Sequence, residues 1–79
     1  MQASVIEDII RSQIDCAHLK IEGDGVHWQA LVVSEQFAGK NRVARHKLVN
    51  AALSEHIESN EIHALSLRTL TPSEWDQAD

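Results

Sequence analysis

A lone cysteine, Cys16, in a chain of 79 residues leaves neither a disulfide nor a CxxC metal site to staple a small fold. Apolar packing has to do the whole job, against an ordering cost of roughly 1.5 kcal/mol per residue and a gain of about 25 cal/mol per Å² buried. Such a length accommodates one compact domain, residues 1–79, with little room for a deep substrate pocket beside its own core. A non-enzymatic binding module or accessory subunit is expected rather than an enzyme. Hydrophobic residues at 43% and charged residues at 24% match a globular composition rather than a disordered one. No apolar run of about 18 residues is present to cross a bilayer. The opening residues Met1 to Asp8 lack a basic region, a long apolar region and the character of a mitochondrial presequence, so a cytoplasmic location is expected.

Twelve acids against seven bases give a net charge of −5, which opposes non-specific attraction to nucleic acid or an anionic membrane. The charge is unevenly distributed. No acid lies between Glu35 and Glu55, whereas Lys40, Arg42, Arg45 and Lys47 fall within eight positions. Two readings stay open: a solvated helix face with its preceding loop, or a surface for an anionic partner.

Val5, Ile6, Ile9, Ile10 and Ile14 recur at helical spacing, with Ser4 and Glu7 placed for a capping box. Leu19 and Ile21 then alternate with polar neighbours, Gly23-Asp24-Gly25 signals a turn, and Val26 to Ser34 reads as the returning strand of a hairpin. Its alternation puts Trp28, Ala30 and Val32 on one face and His27, Gln29, Leu31 and Val33 on the other. Asn41 can cap a long helix from about Arg42 to Ser59, buried through Leu48, Val49, Ala52, Leu53 and Ile57, with Asn60 as its stop. A third strand over Ile62 to Leu70 follows. Thr71-Pro72-Ser73-Glu74 then combines N-cap, first-turn proline and capping glutamate to start a short helix bearing Trp75. The order αββαβα predicts an α+β two-layer sandwich, a three-stranded mixed sheet with helices on one face and the other face largely open.

No GxSxG, HExxH, paired aspartates or Gly-rich phosphate loop is present, which removes support for hydrolase or nucleotide-dependent chemistry. Five histidines are many for this length, and each neutral ring offers a nitrogen to a transition metal. His27 and His63 each stand at a strand start. The plain alternatives are an exposed loop residue for His27 and a strand-edge histidine satisfied by backbone for His63. His18, His46 and His56 read as surface side chains, and Cys16 as a small packing residue. Two imidazoles would leave a metal site half filled, so a metal would need ligands from a partner.

The run Phe37-Ala38-Gly39-Lys40, Arg42 and Arg45-His46-Lys47-Leu48-Val49 resembles the core motif of the BolA-like family, F-x-G-K/M-x-x-x-x-R-H-R-x-V. Ile62 to Trp75 is similar to that family's C-terminal signature, IHAxxxKTxTPxEW, and the Gly23 to Trp28 hairpin is most similar to its bacterial acid-stress branch. The resemblance covers most of the chain. It implies a fold like the type II KH domain and partnership with a monothiol glutaredoxin of the CGFS type. It also implies a 2Fe-2S cluster shared between the glutaredoxin cysteine, a glutathione thiol and this chain, in iron-sulfur trafficking or an acid or oxidative stress response. His63 matches the family's C-terminal ligand, and His27 is the candidate for the second. Cys16 precedes the first strand and does not match the cysteine form of that ligand. Imidazole in place of thiolate changes cluster charge and raises its potential, and a cluster so held should loosen as pH falls through the histidine range.

The alternative expectation is a KH-like DNA-binding regulator. KH domains grip the backbone with a GxxG loop, but Gly39-Lys40-Asn41-Arg42 lacks the second glycine. The cluster Lys40, Arg42, Arg45 and Lys47 could still bind nucleic acid weakly, or receive glutathione or an acidic protein surface. The isolated chain is expected to be a monomer or a weak homodimer through the open sheet face, with no tightly bound cofactor.

Overall fold

The computed structural model describes residues 1–78. Helix α1 (Ala3–Gln13) leads into an antiparallel hairpin of β1 (His18–Gly23) and β2 (His27–Val33). A 3-10 turn (Glu35–Phe37), α2 (Arg42–Ala52) and α3 (Ser54–Glu58) then return the chain to β3 (Ala64–Leu70), and α4 (Pro72–Gln77) closes it. The sheet order is β1-β2-β3, with β3 parallel to β2, the direction that a helical crossover permits. This is the α+β mixed sheet that the alternation patterns predict.

The inward faces of the strands, including Trp28, Ala30 and Val32, pack against Ile6 and Ile10 of α1, Phe37, and Val49 and Leu53 of the crossover. Two of the helix expectations need correction. Helix α1 begins at Ala3, one residue ahead of the expected Ser4 cap. The Gln2 carbonyl accepts from both Val5 and Ile6 N–H, so Ser4 sits inside the first turn and the Ser4–Glu7 box does not form. Val5, next to the buried Ile6 but rotated off its face, is 42% exposed.

The second correction concerns the expected helix from Arg42 to Ser59, which breaks at Leu53 (φ −104°, ψ 7°). A straight helix would carry Ile57 about 80° around the axis from Val49. The break leaves Leu53 fully buried and lets α3 set Ile57 against the same core. Asn41 does cap α2, its side chain accepting from Ala44 N–H, and Asn60 ends the crossover in the left-handed region at φ 64°.

The first three helices lie on one face of the sheet. The other face presents the exposed residues Lys20, Glu22, Gln29, Ser66 and Arg68. At one end of this face α4 turns back, and Trp75 stacks on His18 at 4.9 Å and 14°. His18 pairs with Val33 and Val33 with Leu70, so the stack lies beside a fully buried Val33.

Candidate metal-ligand edge and basic helix start

The parallel register of β2 and β3 sets His27 opposite Ala64, so His27 and His63 stand one residue apart in register at the same end of the sheet. Both are exposed. The Asp24 turn positions His27. Asp24 Oδ1 accepts from the backbone N–H of Val26 (2.9 Å) and of His27 (2.8 Å), while Oδ2 lies 3.5 Å from His27 Nδ1. The His27 N–H, then that of Val26, holds the Asp24 carboxyl down to about 2. An imidazole whose Nδ1 faces a carboxylate is biased toward carrying its proton there, which leaves Nε2 as the outward lone pair. Asp24 is a contributor that the sequence reading passed over, although an aspartate three residues before a histidine in a glycine turn is a legible signal.

His63 is held from its other side. The Glu61 and Ile62 N–H groups both donate to the His56 carbonyl at 3.0 and 3.1 Å. Glu61 Oε1 accepts from Ser59 Oγ at 2.9 Å and lies 3.0 Å from His56 Nδ1. The Ser59 hydroxyl, and then His56, draws the Glu61 carboxyl below the usual carboxylate range. Ile62 is buried, which pins the residue before His63. The imidazole of His63 borders a cleft of about 430 Å³ that Asn50, Ser54, Ile57 and Leu65 also line. Strand alternation turns His27 to the open face, whereas His63 precedes β3 beside the helical layer.

Among the described residues no group of three or more His, Cys, Asp and Glu side chains gathers to hold a metal ion. Two exposed nitrogen donors fit part of a cluster's ligand set and leave the rest to another molecule. Cys16 is placed differently. It lies just before β1, at the His18–Val33 end of the hairpin, away from His27, and burial pushes its thiol up.

The four bases of the acid-free stretch separate in space. Lys40, Arg42 and Lys47 are exposed, whereas the Arg45 side chain is only 12% exposed. Its Nε donates to the carbonyls of Phe37 (3.1 Å) and Lys40 (2.8 Å), and its Nη1 to the Thr69 carbonyl (3.2 Å) and Glu74 Oε1 (2.7 Å). Glu74 also accepts from the Thr71 N–H as part of the α4 capping box; that bond first, then Arg45, lowers its carboxyl pKa. Arg45 therefore ties the Phe37–Lys40 loop, the end of β3 and the start of α4 together. Its guanidinium faces inward, so the outward cations of this stretch are the other three.

Residues 2–74 match the BolA-like protein family. The chain belongs to that family. Over 75 residues it is 35% identical to the acid stress protein IbaG of Escherichia coli strain K12, covering 95% of this chain and 89% of that protein. A DNA-binding transcriptional regulator BolA of Vibrio cholerae is 49% identical over 55 residues, 70% of this chain and 51% of that one. A BolA-like protein from Babesia bovis has a solved structure that superposes with a TM-score of 0.87 at 33% identity, covering 99% of this chain and 93% of that one. The BolA-like signature Ile62 to Trp75 thus maps onto the segment that carries His63, strand β3 and the Arg45–Glu74 tie.

Proposed function

We propose that this BolA-like chain is a non-enzymatic cytoplasmic adaptor. It docks on a monothiol CGFS glutaredoxin and contributes imidazole nitrogen to a shared 2Fe-2S cluster, in iron-sulfur trafficking or a stress response. The observation that supports this reading is the pair of exposed imidazoles, His27 and His63, one residue apart in register and, among the described residues, with no ring hydrogen bond to a backbone carbonyl. In this reading His63, beside the helical layer, and His27, on the open face, would each offer an imidazole nitrogen to the cluster at the same end of the sheet, with Asp24 orienting His27. The glutaredoxin cysteine and a glutathione thiol complete the set, and the bound cluster supplies one-electron chemistry.

The test is anaerobic co-purification of the full chain with a CGFS glutaredoxin in the presence of glutathione, followed by visible absorption and circular dichroism. A one-to-one complex with a spectrum distinct from that of the glutaredoxin homodimer is the expected result. Failure to form the complex, or an unaltered glutaredoxin spectrum within it, would overturn the reading.

A DNA-binding regulator is the second reading, favoured by the acid-free stretch from residue 36 to 54 with its exposed Lys40, Arg42 and Lys47. It requires duplex binding that weakens steeply with salt and collapses on Arg42→Glu with Lys47→Glu. Arg45 is unsuitable for that experiment because its replacement would disturb the fold.

A further inference from the structure

Strand β3 borders the sheet, so alternate backbone groups along it face away from β2. Two hydrogen bonds show which ones. The Leu70 carbonyl accepts from Ser34 N–H at 2.9 Å on the β2 side, whereas the Thr69 carbonyl accepts from Arg45 Nη1 at 3.2 Å on the outer side. The N–H and C=O groups of Leu65 and Leu67 therefore point outward with those of Thr69. Among the described residues they have no partner there. Edge strands are usually blunted by proline, a bulge or several charges. Strand β3 has no proline, pairs with β2 without interruption and carries a single charge, Arg68. On the opposite border β1 carries the ion-paired Lys20 and Glu22.

Beside the free edge, Arg42, His46, Asn50, Ser54 and Glu58 recur at every fourth position of the crossover. Arg42 and His46 line a groove of about 340 Å³ against the Leu67–Leu70 part of β3, and Asn50, Ser54 and Glu58 line the groove beside Leu65. The row is basic at one end and acidic at the other. We infer that a second copy of this chain lays its own β3 antiparallel along this edge, forming a two-fold dimer with one continuous sheet. The pattern selects a second copy over an unrelated strand because a two-fold axis reverses the row, setting Arg42 toward the partner's Glu58 and Asn50 toward its counterpart. Arg45 already occupies the Thr69 carbonyl, so the uncontested register pairs Leu65 with the partner's Leu67, Leu67 with the partner's Leu65, and puts the axis at Ser66. The half-buried Ile57, Leu65 and Leu67 lie next to this seam and lose water when it closes. So short a seam gives a weak dimer, with a Kd of about 0.1 mM. No step of this pairing uses His27 or His63.

The experiment is sedimentation velocity of the full chain from about 10 µM to about 1 mM, with reductant present so that Cys16 cannot bridge two copies, alongside amide NMR over the same range. A monomer–dimer equilibrium is expected, with concentration-dependent amide shifts centred on Leu65 and Leu67. Ser66→Lys places like charges opposite each other across the axis and should abolish the dimer. Arg42→Glu and Glu58→Arg should each weaken it about tenfold, and the two combined should restore it. All three residues are exposed, so the dilute variants should keep native amide spectra elsewhere. A chain that stays monomeric throughout, or a dimer that the combined reversal leaves as weak as the single ones, would overturn the inference. Shifts centred on Gln29 and Leu31 would overturn it in favour of the open sheet face.

Discussion

Arg45 shows how a residue type can be conspicuous in a sequence and still be misplaced in function. Its position in a run of bases points outward, yet its side chain serves three backbone carbonyls and Glu74. Sequence spacing reveals a helix face, but not that residues 24 and 29 positions further along will meet it. Arg45→Ala is expected to destabilise the fold by about 2 kcal/mol, because it strips hydrogen bonds from half-buried carbonyls, and Arg45→Lys should recover only part of that loss. Chemical denaturation of both variants checks this. Asp24 gives a pH signature. Its carboxyl titrates at about 2 in the folded chain against about 4 when unfolded. The stability it contributes is therefore present above the unfolded value and fades as pH falls from about 4 through about 2. Asp24→Ala should flatten the stability-versus-pH curve in that window, as acid unfolding followed by circular dichroism would report.

The hairpin between β1 and β2 depends on a close approach at Gly23. A Cβ built there would stand 2.5 Å from the His27 carbonyl oxygen and 2.5 Å from the Trp28 ring. Gly23→Ala must displace the buried indole or splay the turn, and should lower stability by about 1–3 kcal/mol with a change in Trp28 fluorescence. Because the same turn carries Asp24 and His27, that variant should also shift the His27 ring resonances. The strands and the α4 cap were legible because period-two alternation and Thr-Pro-Ser-Glu are local signals, and the α4 capping box forms as spelled. The break at Leu53 was not legible. It has no proline or glycine to mark it and arises from the demand that Val49, Leu53 and Ile57 meet one core. The true start of α1 was hidden for a related reason, since Ser4 is as good a cap as the sequence offers, but Ala3 packs against the core.

Considered as a whole, the molecule keeps its two candidate metal ligands and the start of α2 at opposite ends of its sheet. One end exposes His27 and His63, and at the other Arg45 ties the start of α2 to the end of β3. His27 was readable as a strand start, whereas His63 stands one residue ahead of β3 rather than in it, and the adjacency of the two depends on the parallel register of β2 with β3, which only the crossover topology sets. The central claim is that His63 and His27 coordinate a metal centre completed by another protein. Its most direct test is pulsed electron paramagnetic resonance on the reduced glutaredoxin complex, prepared with this chain labelled with ¹⁵N-histidine. Histidine nitrogen couplings that weaken on His63→Ala and vanish when His27→Ala is added are the predicted result; a complex that forms its cluster without any such coupling would contradict the account.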